Sequence, residues 1–292
     1  MKTKKINNID ILSLMIILFT VLVTVAGLLS FDISKSYDIV NQYGDTIKMF
    51  GSGIYAHDSY FKVPITIGSD FTILVMVVPM LIIALIREIK SRTNKTKMCL
   101  ISVLSAVLYY ATGLVFGVTY NSFHLIYITL FACTLFAVFS LIRNIDIKQI
   151  REAQQWKLPS KGLSIFLILS GIAIIVAWLP DILSSLIAGT SLSLIEVYTT
   201  EITYVLDMGI VGPLCLVCLY LLKKKDGLGD ILLTILLKLC LIIGVMMIPQ
   251  TVYQIISGAS IQWVGILAKS GSFVALGGFA AYFDSKLYRG LK

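Results

Sequence analysis

Three ionisable side chains sit inside long apolar runs of this chain: Asp207, Lys238 and Lys269. A charge at membrane depth is costly, so such residues mark ion paths, proton relays or ligand sites. At 1.5 Å per residue, Asp207 lies about 8 Å below the outer end of its run, and Lys269 about 10 Å below the outer end of its own. Their depths match, and they are expected to pair inside a helix bundle. Lys238 lies about 12 Å above the inner end of its run, from where its stem is expected to approach Asp207 from below. The chemistry open to such a group is binding of a small solute or ion, or proton transfer. The competing reading is a structural ion pair that fixes helix packing.

The outer rim of the same region is polar. It holds Asp70, Tyr120, His124, Asp181, Glu196, Tyr198, Thr199, Thr200, Glu201 and Tyr204, with Gln250 and Gln254 at the end of a neighbouring run. These residues are expected to line an outward-facing cavity, with Asp207, Lys238 and Lys269 on its floor. Asp70, Glu201 and His124 would stand nearer its mouth, with Tyr204 beside them. The competing reading makes them solvated loop and helix-start residues, with Thr199 or Thr200 capping a helix that begins at Glu201.

Other chemistries find less support. The two histidines, His57 and His124, show no HxxxH or HExxH spacing, so no metal site is expected. The cysteines are Cys99, Cys133, Cys215, Cys218 and Cys240, none in an outer segment, so no exported disulfide framework is expected. Cys215-x-x-Cys218 has the spacing of a redox motif. Membrane oxidoreductases such as the vitamin K epoxide reductase family add an exoplasmic loop cysteine pair, which is missing here, and a packed thiol is the plainer reading. Gly51-Ser52-Gly53 has neither a preceding strand nor a following Gly-Lys-Ser/Thr, so it is no phosphate loop. No Ser-His-Asp order or acid–base carboxylate pair is evident, so neither an enzyme nor a cofactor is expected.

The elements that must position these residues follow from composition. The chain has 292 residues, 58% of them hydrophobic and 14% charged, with a mean hydropathy of +0.92. This excludes a soluble globule, a disordered chain, a collagen-like fibre and a disulfide-knotted secreted domain. A helix needs about 20 apolar residues to cross the hydrocarbon. Eight spans qualify, at roughly 11–31, 69–86, 98–118, 123–142, 163–187, 202–222, 230–250 and 262–284. Lys2, Lys4 and Lys5 precede the first, but its apolar run is too long for a signal peptide and lacks a cleavage site, so it reads as a retained helix. No strand alternation is visible, so helices alone are expected to span. The fold class is therefore an all-α integral membrane bundle of about eight transmembrane helices, forming a single domain over 1–292. Its longest outer segment is 32–68. The inner segment 143–162 is expected to continue the fourth helix and break near Pro159, with Trp156 at the interface.

The net charge of +8 reads as topology, and no nucleic-acid motif accompanies it. With the N-terminus inside, 19 of the 24 Lys and Arg fall in inner segments, and only Lys35, Lys48 and Lys62 in outer ones. Both termini are thus expected in the cytoplasm. The two halves also look alike. Asp70, Pro79 and Arg87 in the second span parallel Asp207, Pro213 and Lys223 in the sixth, with Asp-to-base distances of 17 and 16 residues (87 − 70 and 223 − 207). Two parallel four-helix repeats, 11–143 and 163–285, are the resulting hypothesis.

Several segments carry a resemblance. Tyr43-Gly44, Gly51-Ser-Gly53-Ile-Tyr55, Asp70 leading to Pro79, Tyr109-Tyr110-Ala-Thr-Gly113 before Tyr120-Asn121, and Tyr198 through Asp207 to Pro213 resemble a family of bacterial multi-pass membrane proteins with no assigned activity. The resemblance implies a bacterial plasma (inner) membrane and carries over no catalytic residue. The leading functional expectation is a small-solute or ion transporter, or a related binding protein. One alternative is a non-transporting subunit or sensor working with a separate cytoplasmic partner. A third is a membrane enzyme acting on lipid or quinone. The lipid bilayer is the one partner common to all three.

Overall fold

The computed structural model describes residues 7–153, 159–258 and 263–290, with the side chains of 151, 153 and 263–269 left aside. Eight long helices occupy the eight apolar runs. They are α1 (Asn8–Leu29), α2 (Lys62–Ser91), α3 (Asn94–Gly117) and α4 (His124–Asn144), then, after a short α5 (Ile147–Ala153), α6 (Lys161–Ala188), α7 (Ile202–Lys223), α8 (Gly227–Ile256) and α9 (Trp263–Gly290). Among the described residues, seven of them, α1 to α4 and α6 to α8, are long and apolar enough to cross a membrane. The chain is an integral membrane protein with an all-α fold. α9 spans 28 residues, and the side chains of its first turns, Lys269 among them, lie outside the described residues.

Within the first half, α1 packs on α2, α2 on α3, α3 on α4, and α4 back on α1. Within the second, α6 packs on α7, α7 on α8, α8 on α9, and α9 on α6. The third helices of the two rings, α3 and α8, meet each other; α8 also packs on α2, and α3 on the start of α7. Small residues permit the tightest crossings, as in other membrane bundles. A Cβ on Gly244 would stand 2.8 Å from the Gly277 Cα and the Phe273 carbonyl, so α8 and α9 touch backbone to backbone there.

Two helices are broken in the same way. α2 contains a π-turn at Ile73–Val77, and α7 one at Asp207–Val211. In each, an N–H reaches back five residues, from Val78 to Ile73 and from Gly212 to Asp207. The next residue is a proline, Pro79 or Pro213. A proline ring clashes with the carbonyl four residues earlier and donates no hydrogen bond, and a widened turn accommodates both defects. The two breaks keep one register, since 213 − 79 and 207 − 73 both give 134. The two aspartates do not share it: 207 − 70 gives 137, so Asp207 sits one turn further along its helix than Asp70.

Two local expectations are corrected, and one element is added. The outer segment 32–61 adds a two-stranded hairpin, β1 (Tyr37–Val40) against β2 (Thr46–Met49). The Asn41 side chain closes its turn by accepting from the N–H groups of Tyr43 and Asp45, both at 2.9 Å. α4 does not run on towards Pro159. It stops at Asn144, because Asp146 accepts from the Gln149 N–H at 3.1 Å and starts a separate α5; Trp156 lies outside the described residues. α7 begins at Ile202, with Glu201 at the cap position and no threonine cap.

The hairpin and the segments 118–123 and 189–201 gather at one end of the bundle, the hairpin end. At the other, basic end, Arg92 donates from both terminal nitrogens to the buried Asp10 carboxylate (2.8 Å from Nη1), tying α1 to the α2–α3 turn.

Candidate functional site

Two carboxylates lie buried where the broken helices face the centre. Asp70 is fully enclosed. The Tyr110 hydroxyl donates to its Oδ1 at 2.5 Å, and the Tyr55 hydroxyl to its Oδ2 at 2.8 Å. Tyr110 comes from α3. Tyr55 comes from the hairpin segment, in a short turn (Gly53–Tyr55) that dips into the bundle beside Phe50, Val63 and Ile67. Gly27 of α1 closes the remaining side: any Cβ there would collide with the Asp70 carboxyl.

Asp207 opens the π-turn of α7 and is buried. The Tyr109 hydroxyl donates to its Oδ1 at 2.8 Å, and the Trp178 indole N–H to its Oδ2 at 2.9 Å. Trp178 stacks on Tyr204 at 4.7 Å, and the Tyr204 hydroxyl donates to Asp181 at 2.8 Å. Tyr109 and Tyr110 are consecutive. Neighbouring side chains on a helix point about 100° apart, so α3 reaches both carboxylates from adjacent positions. Among the described residues, neither Asp70 nor Asp207 has a cationic partner.

The remaining expected residues fall elsewhere. Lys238 does not approach Asp207. Its ammonium bonds Asp284 of α9 at 2.5 Å, both groups buried, with the Tyr288 ring 5.6 Å away. Asp284 lies at the very edge of the sequence-derived span, which is why the pairing was missed. Lys269 and its expected contact with Asp207 lie outside the described residues. Glu201 bonds Lys62 across the hairpin end. His124 begins α4, its ring 5.4 Å from that of Tyr120. Thus the structure brings Asp207 and Tyr204 into one cluster and Asp70 into a second, joined to it through α3. It gives Lys238 and His124 other partners and turns the Glu201 side chain to Lys62, while the Glu201 carbonyl accepts from the Tyr204 N–H at 3.1 Å. Tyr55, Tyr109, Tyr110 and Trp178 were not recognised as site residues, although polar atoms on aromatic rings in an apolar helix need partners. The five cysteines are free thiols, and Cys218 bonds the Gly229 carbonyl at 3.5 Å.

The rim residues form a clasp. Glu196 bonds the Ser59 hydroxyl, and its carbonyl accepts from the Asn41 amide at 2.9 Å. Lys62 lies 4.1 Å over the Tyr198 ring. The Tyr198 hydroxyl and the Thr119 N–H both donate to Asp58, at 3.0 and 2.8 Å. Hence 189–201, from the second half, is pinned on the hairpin segment of the first. Burial raises Asp58 to about 6, against the opposing pull of its donors from Thr119 and Tyr198. The folded chain then holds a proton on Asp58 that the unfolded chain releases between about pH 4 and pH 6. Stability is lost as pH rises through that window, by about 3 kcal/mol for a shift of about two pH units. Thermal unfolding in detergent is expected to show this loss, and Asp58→Asn to remove most of it. An equal pH slope in the variant would exclude Asp58 as its source.

A cavity of about 10 Å³ lies between α6, α8 and α9, lined by Ser170, Ile174, Cys240, Ile243, Phe273 and Leu276. It is large enough for about one water. A larger cavity opens at the basic end. Neither is lined by Asp70 or Asp207. Comparison with models of protein families, with curated proteins and with solved structures gives no match, so no function carries over by likeness.

Proposed function

We propose that this membrane protein is a carrier of a small solute or ion, in which Asp70 and Asp207 are the exchanging carboxylates. One observation carries the reading. Two buried acids without a cationic partner among the described residues stand on the two π-broken, proline-bearing helices, and consecutive tyrosines of one helix hold both. Acids at membrane depth mark proton and ion pathways. Broken helices near the midplane are where secondary transporters bind their coupling ions. The Tyr55 plug and the clasp at the hairpin end make this the state closed on that side. Opening it requires Tyr55 and 189–201 to move, and the polar rim then becomes the mouth of an outward-facing cavity.

The matching rings of neighbours support two parallel four-helix repeats, with Asp70 and Asp207 as diverged rather than equivalent positions. A superposition of 11–143 on 163–285 in which α2 and α7 failed to coincide would refute the duplication. The basic end is proposed to face the cytoplasm of a bacterial plasma membrane, by the distribution of Lys and Arg. A cysteine placed at Lys90 should then react with an impermeant thiol reagent only after the cells are opened.

The functional test is reconstitution into sealed vesicles with a pH-sensitive dye inside. An imposed sodium or potassium gradient, or a panel of small solutes, is expected to drive proton movement with the native protein. Asp70→Asn and Asp207→Asn should each reduce the rate at least about tenfold, the scale of one lost essential group. Undiminished flux in both variants, or none with the native protein across the panel, would refute the proposal.

A further inference from the structure

At the basic end a cavity of about 610 Å³ opens between the start of α6 and the end of α7. Its described lining is Pro159, Lys161, Ser164, Ile165, Lys223 and Lys225. Three of these six are cations and none is an acid. Among the described residues none of the three lysines has an ion pair. The nearest acid in sequence, Asp226, is turned away to cap α8, accepting from the Leu228 N–H at 2.9 Å. The three lysines are exposed, and like charges gathered in a concave site raise the local positive potential and draw an anion to it.

Lys225 adds a second sign. Its φ is +57°, in the left-handed region. It occupies the turn position after α7 that glycine usually fills, with the Asp226 N–H bonded back to the Leu221 carbonyl at 3.0 Å. A lysine there is strained relative to glycine, and the position puts Lys225 in the lining of the cavity.

The apolar wall tells which anion. Ile165 belongs to an exposed stripe of α6 that continues through Leu169, Ile172 and Val176. The eleven helical steps from Ile165 to Val176 cover about 16 Å, close to the depth of one leaflet. A cationic cup that opens directly onto a leaflet-deep apolar track fits a molecule with an anionic head and an acyl tail. We propose that this cavity is a binding site for the phosphodiester head group of an anionic phospholipid, whose acyl chain lies along the α6 stripe. Basic pockets between membrane helices bind such head groups in other proteins. The site is independent of the two central carboxylates.

The test uses the full-length protein, purified, delipidated and titrated with phosphatidylglycerol or phosphatidylcholine, with bound lipid counted by native mass spectrometry. One tightly held phosphatidylglycerol per chain is expected, and much weaker retention of phosphatidylcholine. The variant Lys161→Gln/Lys223→Gln/Lys225→Gln should bind it roughly a hundredfold more weakly. A control that removes as many cations from the same end, Lys90→Gln/Arg143→Gln/Lys148→Gln, should change binding less than about threefold. Lys225→Gly should weaken binding while raising the unfolding temperature, which separates lost affinity from lost folding. Inorganic phosphate is expected not to compete at millimolar concentration. Equal losses in the two triple variants would mean generic surface charge, and overturn the site. Effective competition by phosphate would mean a soluble anion, and overturn the lipid.

Discussion

Replacing Asp70 by alanine is expected to prevent the chain from folding, whereas Asp70→Asn is expected to leave it folded and inactive. In the native protein two buried hydroxyls, those of Tyr55 and Tyr110, donate to this one carboxyl. Alanine removes both acceptors at once and leaves a space. Each orphaned buried hydroxyl costs about 1–3 kcal/mol, and the cavity adds to that. A total of about 3–7 kcal/mol is comparable with the whole stability of an ordinary domain. Asparagine keeps an acceptor for one tyrosine and presents an amide N–H₂ to the oxygen of the other, which can turn to accept. Its cost should be about 1 kcal/mol. Unfolding midpoints in detergent for both variants decide the matter. If alanine is tolerated as well as asparagine, the tyrosine grip contributes little, and the buried acid must be held by other means.

A second large effect is expected at Lys238. Lys238→Met should destabilise the protein by about 3–5 kcal/mol, because Asp284 is then left as an uncompensated buried charge. The native Asp284 already has one oxygen, Oδ1, with no hydrogen-bond partner among the described residues, so no second donor stands ready to replace the ammonium. The double variant Lys238→Met/Asp284→Leu removes both charges and should recover most of the loss, as apolar replacements of buried ion pairs do elsewhere. Denaturant midpoints of the two singles and the double form a complete cycle. A double variant no more stable than the sum of the singles predicts would show that the pair is uncoupled. The same cycle bears on function. If Lys238 and Asp284 only join α8 to α9, a recovered double variant should keep full vesicle flux, and the central carboxylates alone should control it.

The number and order of the long helices could be read from the sequence, with most ends within about four residues and those of α2, α8 and α9 off by five to seven, and the reason is physical. A segment that spends about 30 Å in hydrocarbon must satisfy its own backbone, so its length and its apolar run are the same quantity. Asp70 and Asp207 were equally visible, because an acid in such a run is conspicuous. Their partners were not. Tyr109 and Tyr110 could not be assigned to either acid, because a tyrosine's hydroxyl does not announce which of its neighbours it meets. Trp178 lies 29 residues from Asp207, and Tyr110 lies 40 from Asp70. The packing of α6 on α7 brings Trp178 to Asp207, and the packing of α3 between the two halves brings the two tyrosines to both acids. Lys238 was assigned to the wrong acid for the same reason. Depth along a helix was available from the sequence, but the angular position that selects Asp284 over Asp207 was not. The hairpin escaped notice because its strands are four residues each, too short for alternation to register. The π-turns gave one usable signal, a proline deep in an otherwise continuous apolar run, which reports a defect without saying how the backbone absorbs it.

The grip of α3 on the two acids is set by covalent chemistry rather than by packing. Tyr109 and Tyr110 are bonded neighbours, so the angle between their Cα–Cβ bonds belongs to the helix, and only rotation within a side chain can adjust one site without the other. The helix is in effect a yoke with two tines. A twist of α3 that slackens one hydroxyl also swings the root of the other side chain, so motion of the helix as a body acts on both carboxylates together. In a carrier of the proposed kind, the fillings of the two sites would then be one torsional coordinate rather than two. Discharge at one acid would be felt at the other as a mechanical load, with no charge passing between them.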